Sequence, residues 1–147
     1  MDTLLATFHL GEFLCAVPAA DVQEVLMEQP RTPTPGAPDC IAGLINLRGQ
    51  VVTTLDLRRR LGLPARPDGA TGRTPSTSVV VRWQNEVWSL DVDRIGDVIE
   101  VSQDLFEPPP DTLRGDMRDL ITGAYKLDGQ LLLMLEMREL LTIDSAR

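Results

Sequence analysis

Residues 41–61, IAGLINLRGQVVTTLDLRRRL, lie over residues 121–141, ITGAYKLDGQLLLMLEMRELL, without a gap, and this internal repeat constrains the fold more than any other feature. Eight of 21 positions are identical at a constant offset of 80, among them Gly43/Gly123, Gly49/Gly129, Leu55/Leu135 and Arg58/Arg138. The residues before them match more loosely, with Val22-Gln23-Glu24-Val25 laid over Val98-Ile99-Glu100-Val101. A period this long is not that of a solenoid; it indicates two copies of one supersecondary unit. Each copy alone is too small for a secure core, so the two are expected to share one.

Both copies read mainly as β. Leu4-Ala6-Phe8-Leu10 alternates with Leu5, Thr7 and His9, the period of a half-buried strand with His9 on the more exposed face. Gly11-Glu12 is a turn with glycine first, and Phe13–Val17 returns as the partner. Further strands are predicted at Val22–Met27, Ile41–Leu47, Val51–Leu55, Ser78–Trp83, Val87–Val92, Val98–Val101, Ile121–Leu127 and Leu131–Leu135. Each copy closes with a short helix. The first starts at an Asp56 N-cap and stops at Gly62 and Pro64, and the second starts at Glu136. The Pro/Gly-rich segment 64–76 is expected to connect halves spanning roughly 1–63 and 77–143, within a single domain whose strands can exchange between halves. Pro30–Pro38 and Pro108–Pro110 occupy similar places in the halves and read as rigid crossovers.

The supply of reactive side chains points away from catalysis. His9 is the only histidine, and Cys15 and Cys40, the only cysteines, sit in apolar runs where a thiol packs as a small hydrophobe. A four-ligand zinc site is therefore not expected. Asp91 and Asp93 would share one face of a strand, and Asp116 and Asp119 fall in a predicted loop; both pairs read as solvated surface. No phosphate-cradling glycine pattern is present. With 22 acidic against 14 basic residues the chain lacks the clustered positive charge that nucleic acid requires. The N-terminus has no basic region and no apolar run is long enough to span a bilayer, so a reduced, cytoplasmic protein without membrane insertion is expected.

The two copies differ informatively at one turn. Leu47-Arg48-Gly49-Gln50 aligns with Leu127-Asp128-Gly129-Gln130. A type I′ hairpin needs positive φ at both central residues, which Asp-Gly supplies well and Arg-Gly poorly. Either Arg48 breaks a local rule, as functional positions do, or this turn is type II or carries a bulge, with only Gly49 at positive φ and Arg48 an ordinary exposed tip residue. An exposed arginine with five fixed donors suits a carboxylate or backbone carbonyls on a partner.

Val22-Gln23-Glu24-Val25, the run Ile41-Ala42-Gly43-Leu44-Ile45-Asn46-Leu47-Arg48-Gly49 followed by Val51-Val52, Asp56-Leu57-Arg58, and Leu90-Asp91-Val92-Asp93 together resemble the CheW family over nearly the whole chain. The resemblance implies a pair of intertwined five-stranded SH3-like β-barrels with short helices. It implies a non-enzymatic adaptor, without cofactor or metal, that links chemoreceptor cytoplasmic tips to the regulatory domain of the histidine kinase CheA. Rings with that kinase or with other CheW-like proteins, including further copies, are implied too, as is recruitment to receptor arrays. On the same basis Val22, Glu24 and Val25 fall on receptor-contact positions, Val98 on a groove between the barrels, and Arg48 on a coupling arginine. Leu63–Thr77 departs from the family pattern.

The mechanism expected from these residues is binding without chemistry: an apolar strip of Val22, Val25 and Val98 receives a helical hairpin, while Glu24 and Arg48 set orientation. The same valines read equally as barrel core. Three other functions are open at this point: a specialised paralogue that binds receptors without kinase coupling or serves a surface-sensing or motility system, a small-molecule-binding regulatory domain, and an acidic-residue hydrolase using Asp91 or Asp93.

Overall fold

The computed structural model describes residues 2–27, 31–64 and 77–143. The proposed connection at 64–76 lies almost wholly outside them. In chain order the elements are β1 (Asp2–Leu10), β2 (Phe13–Pro18), β3 (Val22–Met27), β4 (Ile41–Leu47), β5 (Gln50–Asp56), α1 (Leu57–Arg60), β6 (Thr77–Trp83), β7 (Glu86–Val92), β8 (Arg94–Ser102), β9 (Phe106–Glu107), α2 (Asp116–Leu120), β10 (Ile121–Leu127), β11 (Gln130–Leu135) and α3 (Met137–Leu140).

These strands form two sheets, ordered β8-β1-β2-β11-β10-β9 and β3-β6-β7-β5-β4. Each sheet takes its first hairpin from one copy of the repeat and its remaining strands from the other. The exchange is held by two parallel pairings, β2 with β11 and β5 with β7, set among antiparallel neighbours. Three apolar cores follow. Leu5, Leu14, Ala16, Tyr125 and Leu132 belong to the first sheet, and Ile45, Leu47, Val52 and Val80 to the second. Between them lies the largest, drawing Phe8, Cys15, Leu55, Leu90, Leu133 and Leu140 from both copies. The shared core expected from the repeat is this central one, and the mainly β, two-barrel architecture accords with the sequence reading.

Strand pairing corrects the repeat alignment. One hairpin closes at Leu10↔Phe13 and the other at Trp83↔Glu86, an offset of 83 − 10 = 73. The same offset carries Val22↔Val81 onto Ile95↔Phe8, and Val25↔Val79 onto Val98↔Ala6. Val22-Gln23-Glu24-Val25 therefore corresponds to Ile95-Gly96-Asp97-Val98, three residues before the segment matched by sequence. The step from 73 to 80 is taken up between β8 and β10, where β9 and α2 occur. In the first copy a single bridge, Thr32↔Leu44, stands where β9 stands in the second.

The duplicated glycines mark this crossing. A Cβ on Gly43 would lie 2.5 Å from the Thr32 carbonyl oxygen, and one on Gly123 would lie 2.2 Å from Phe106 Cζ and 2.5 Å from the Glu107 carbonyl oxygen. Both positions also sit at β-bulges, where the register shifts.

Other expectations need correction. Leu4, near the start of β1, is 55% exposed, and the alternation fails beyond it because Leu5 packs into the first sheet's core and Phe8 and Leu10 into the central one, so both faces of the strand contribute buried residues. Asp116 and Asp119 belong to α2 rather than a loop. Asp91 is not solvated: it is buried, accepts from Ser78 Oγ at 3.3 Å and is ion-paired with Arg31, which anchors the crossover before β4. Asp56 does cap α1, accepting from the Arg59 amide at 3.3 Å, but Glu136 instead accepts from the Thr122 hydroxyl at 2.8 Å.

Candidate functional site: a groove between the sheets

A groove of about 180 Å³ runs between the β1/β8 side of one sheet and the β3/β6 side of the other. Val22 and Val25 stand on one wall and Ile95 and Val98 on the other, over a floor that includes Ala6, Phe8 and Val79. The three valines singled out by sequence thus converge. Val25 is 43% exposed and Val98 63%, so neither is core, while Val22 is half-buried and packs against the central core.

Two bulges make this convergence possible. Residues three apart on a regular strand face opposite ways. Between Val22 and Glu24 the register with β6 slips by one, so Val22 and Val25 emerge on the same side. In β8 the residues Gly96 and Asp97 stand opposite Thr7 alone, which does the same for Ile95 and Val98. Gly96 is required by proximity: a Cβ there would lie 2.4 Å from Thr7 Oγ1, whose hydroxyl donates to the Asp97 carbonyl at 2.5 Å. Sequence reasoning missed Ile95 and Gly96 as site residues. The signal was present, since apolar residues at i and i+3 within a strand announce a bulge.

Glu24 and Arg48 are brought together with each other rather than into the groove lining. Arg48 Nη1 donates to Glu24 Oε2 at 2.8 Å, with the arginine side chain 75% exposed and the glutamate largely covered. The turn is the strained alternative: φ is +53° at Arg48 and +83° at Gly49. Left-handed backbone at a non-glycine residue is unfavourable by roughly 1–2 kcal/mol. Asn46 supports it by accepting the Gly49 amide on Oδ1 at 3.0 Å, and Leu47 is buried beneath. In the duplicate turn Gly129 has φ +76° and Asp128 is not in the positive-φ region, so the residue better suited to that conformation is not the one holding it.

A second ion pair fixes the frame. Arg58 engages Asp93 with two bonds, Nε to Oδ1 at 2.9 Å and Nη2 to Oδ2 at 2.6 Å, and Asp93 Oδ2 also accepts the Gly11 amide at 2.6 Å. At the duplicate position Arg138 is exposed, because the residue corresponding to Asp93 at the offset of 73 is Ala20. His9 is half-buried beside these groups. Desolvation and then the nearby Arg94 lower its pKa, against an opposing effect of Asp93. Cys15 is fully buried and desolvation pushes its thiol up to about 12; Cys40, partly covered, is shifted the same way. Both are free. Among the described residues no cluster of His, Cys, Asp and Glu could hold a metal ion, and no helix is long and apolar enough to cross a membrane.

A second depression, about 430 Å³, opens between the β1–β2 and β10–β11 turns, lined by Glu12, Phe13, Leu113 and Leu131 among others.

Two pseudo-equivalent β-barrels share a core and leave an apolar groove between them. The model of the CheW-like domain matches residues 5–145, and the chain belongs to that family. It is 30% identical over 133 residues to the chemotaxis protein CheW of Rhizobium meliloti, covering 90% of this chain and 83% of that protein. Identity to the probable chemotaxis protein CheW of Rhizobium etli is 29% over 139 residues, covering 95% and 87%. The crystal structure of the scaffolding protein TtCheW from Thermoanaerobacter tengcongensis superposes with a TM-score of 0.84 at 27% identity, over 99% of this chain and 96% of that one.

Proposed function

We propose that this protein is a non-enzymatic adaptor that couples chemoreceptor cytoplasmic tips to a CheA-type histidine kinase in a receptor array. The observation that carries the reading is the meeting of Val22, Val25 and Val98 in one apolar groove. Such a groove suits the apolar face of a helical hairpin, at up to about 1.5–3 kcal/mol per buried side chain before ordering terms. Glu24 and Arg48 contribute orientation rather than bulk affinity, since an exposed pair is worth little by itself. Its strained backbone holds the Arg48 guanidinium outward, accessible to the receptor or the kinase. Partners of the same fold, whether kinase regulatory domains or further CheW-like chains, complete the assembly.

The test is reconstitution with a receptor cytoplasmic fragment and CheA. Receptor-controlled kinase activity that depends on this protein is the expected result, and kinase activity indifferent to its presence would refute the reading. Receptor binding without kinase control would identify a specialised paralogue instead. The depression beside Phe13 and Leu131 favours a second reading, a small-molecule regulatory site, for which saturable thermal stabilisation by a metabolite is the sign.

A further inference from the structure

We infer that the crossover at 31–40 is a releasable strap, which opens from the second sheet as a unit while both sheets stay folded, and that its lock is the Arg31–Asp91 ion pair. The inference concerns the fold itself and holds whatever occupies the groove. The two crossovers of the repeat are anchored by different chemistry. Residues 106–120 bury Leu113, Met117 and Leu120 in the central core, and Phe106 packs edge-on against Tyr125. In 31–40 no residue is buried. Among the described residues this crossover is held by Arg31 on Asp91, by the two 2.8 Å bonds of the Thr32–Leu44 bridge, and by Cys40, which packs against the central core and accepts the Asp56 amide at 2.7 Å. Pro33, Pro35 and Pro38 offer no amide to the sheet, so little besides the lock ties the strap down. The faces to which the crossovers are tied differ as well. Asp91 shares one face of the second sheet with Ser78, Ser89 and Thr54, all buried, and the hydroxyls of Ser89 and Thr54 meet no protein partner. Their counterparts in the first sheet are Pro18, Leu5, Ala16 and Met134. Withdrawing Arg31 therefore opens a polar face to water, with Asp91 still accepting from Ser78, whereas withdrawing 106–120 would strip apolar side chains from the core.

Amide hydrogen exchange of the full chain, read residue by residue by NMR, tests this. The amides of Thr32, Leu44 and Asp56 bond between strap and sheet, and the Glu136 amide makes the equivalent bond to the Leu120 carbonyl in the other copy at 2.8 Å. The first three should exchange about ten-fold or more faster than Glu136. Their exchange should also be nearly insensitive to low concentrations of urea, because a local opening exposes little surface. Asp91→Asn weakens the lock and should speed these three by roughly ten-fold again, while Glu136 follows only the change in global stability. Arg31→Gln should act in the same direction and serves if Asp91→Asn folds poorly. Equal protection of Asp56 and Glu136 in the parent would overturn the inference, since the crossover would then open only with the barrels. So would variants that speed exchange evenly over both sheets, or that leave Thr32 and Leu44 unchanged.

Discussion

Arg48 joins Glu24 across the open seam of the second sheet. β3 and β4 are the terminal strands in the order β3-β6-β7-β5-β4, and the 2.8 Å ion pair links β3 to the turn at the end of β4. The exposed pair adds at most about 1 kcal/mol, which the unfavourable backbone at Arg48 offsets. Arg48→Asn, a side chain that tolerates positive φ, should therefore unfold within about 3 °C of the parent in a thermal melt. Receptor-dependent kinase control should fall in the same protein, and Arg48→Glu should show the same separation. Normal coupling by either folded variant would remove Arg48 from the site.

Arg58 and Asp93 should behave in the opposite way. Both side chains are mostly covered, at 15% and 18% exposure, and the pair carries two bonds. Asp93→Asn leaves a covered guanidinium with weakened partners and is expected to destabilise by about 2–3 kcal/mol in urea unfolding. Arg138→Met, at the repeat-equivalent but exposed position, should change stability by less than about 0.5 kcal/mol. Equal effects at the two arginines would mean that the repeat, and not Asp93, decides their roles.

Gly96→Ala is expected to destabilise by about 1–3 kcal/mol, because the new Cβ lies within 2.4 Å of Thr7 Oγ1. Removing that oxygen as Thr7→Ala should make the double variant more stable than the sum of the two changes. Strict additivity would show that the close approach is not the cause.

Val25→Glu and Val98→Glu place a charge on exposed groove positions and should leave stability within about 1 kcal/mol while abolishing capture of a receptor fragment. A folded Val98→Glu protein that binds normally would exclude the groove.

Cys15 should remain a protonated thiol at neutral pH, since burial raises its pKa to about 12. Alkylation of the native protein at pH 8 should modify Cys40, slowly, and spare Cys15 until unfolding. The linkage has a definite sign: between the ordinary thiol pKa and about 12 the native state holds a proton that the unfolded state has lost, so this group's contribution falls as pH rises through that window. Rapid native labelling of both thiols would contradict the burial.

Much of the architecture was legible because a repeat of identical glycines and alternating residues encodes a local unit twice. Gly43 and Gly123 read as a matched pair, and each proves to be where a crossing chain leaves no room for a Cβ. The first parts of the copies were misaligned by three residues because only alternation marks them, and alternation has no unique register. Asp91 was misread as surface for a different reason. Its burial follows from Arg31, 60 positions away, and from Ser78 on the neighbouring strand.

The sequence by itself determined the duplication and the scarcity of reactive side chains, which self-comparison and composition show directly, and the predominance of strands and the Asp56 cap, which rest on neighbours within a few residues. Tertiary structure alone decided that hairpins exchange between the sheets, that Val22 and Val25 share a face, and that Arg48 rather than Asp128 takes the left-handed backbone. Bulges and ion pairs depend on what lies opposite a residue in space. Two copies with nearly the same local pattern therefore diverged wherever their opposite partners differed, as Arg58 with Asp93 diverges from Arg138 with Ala20.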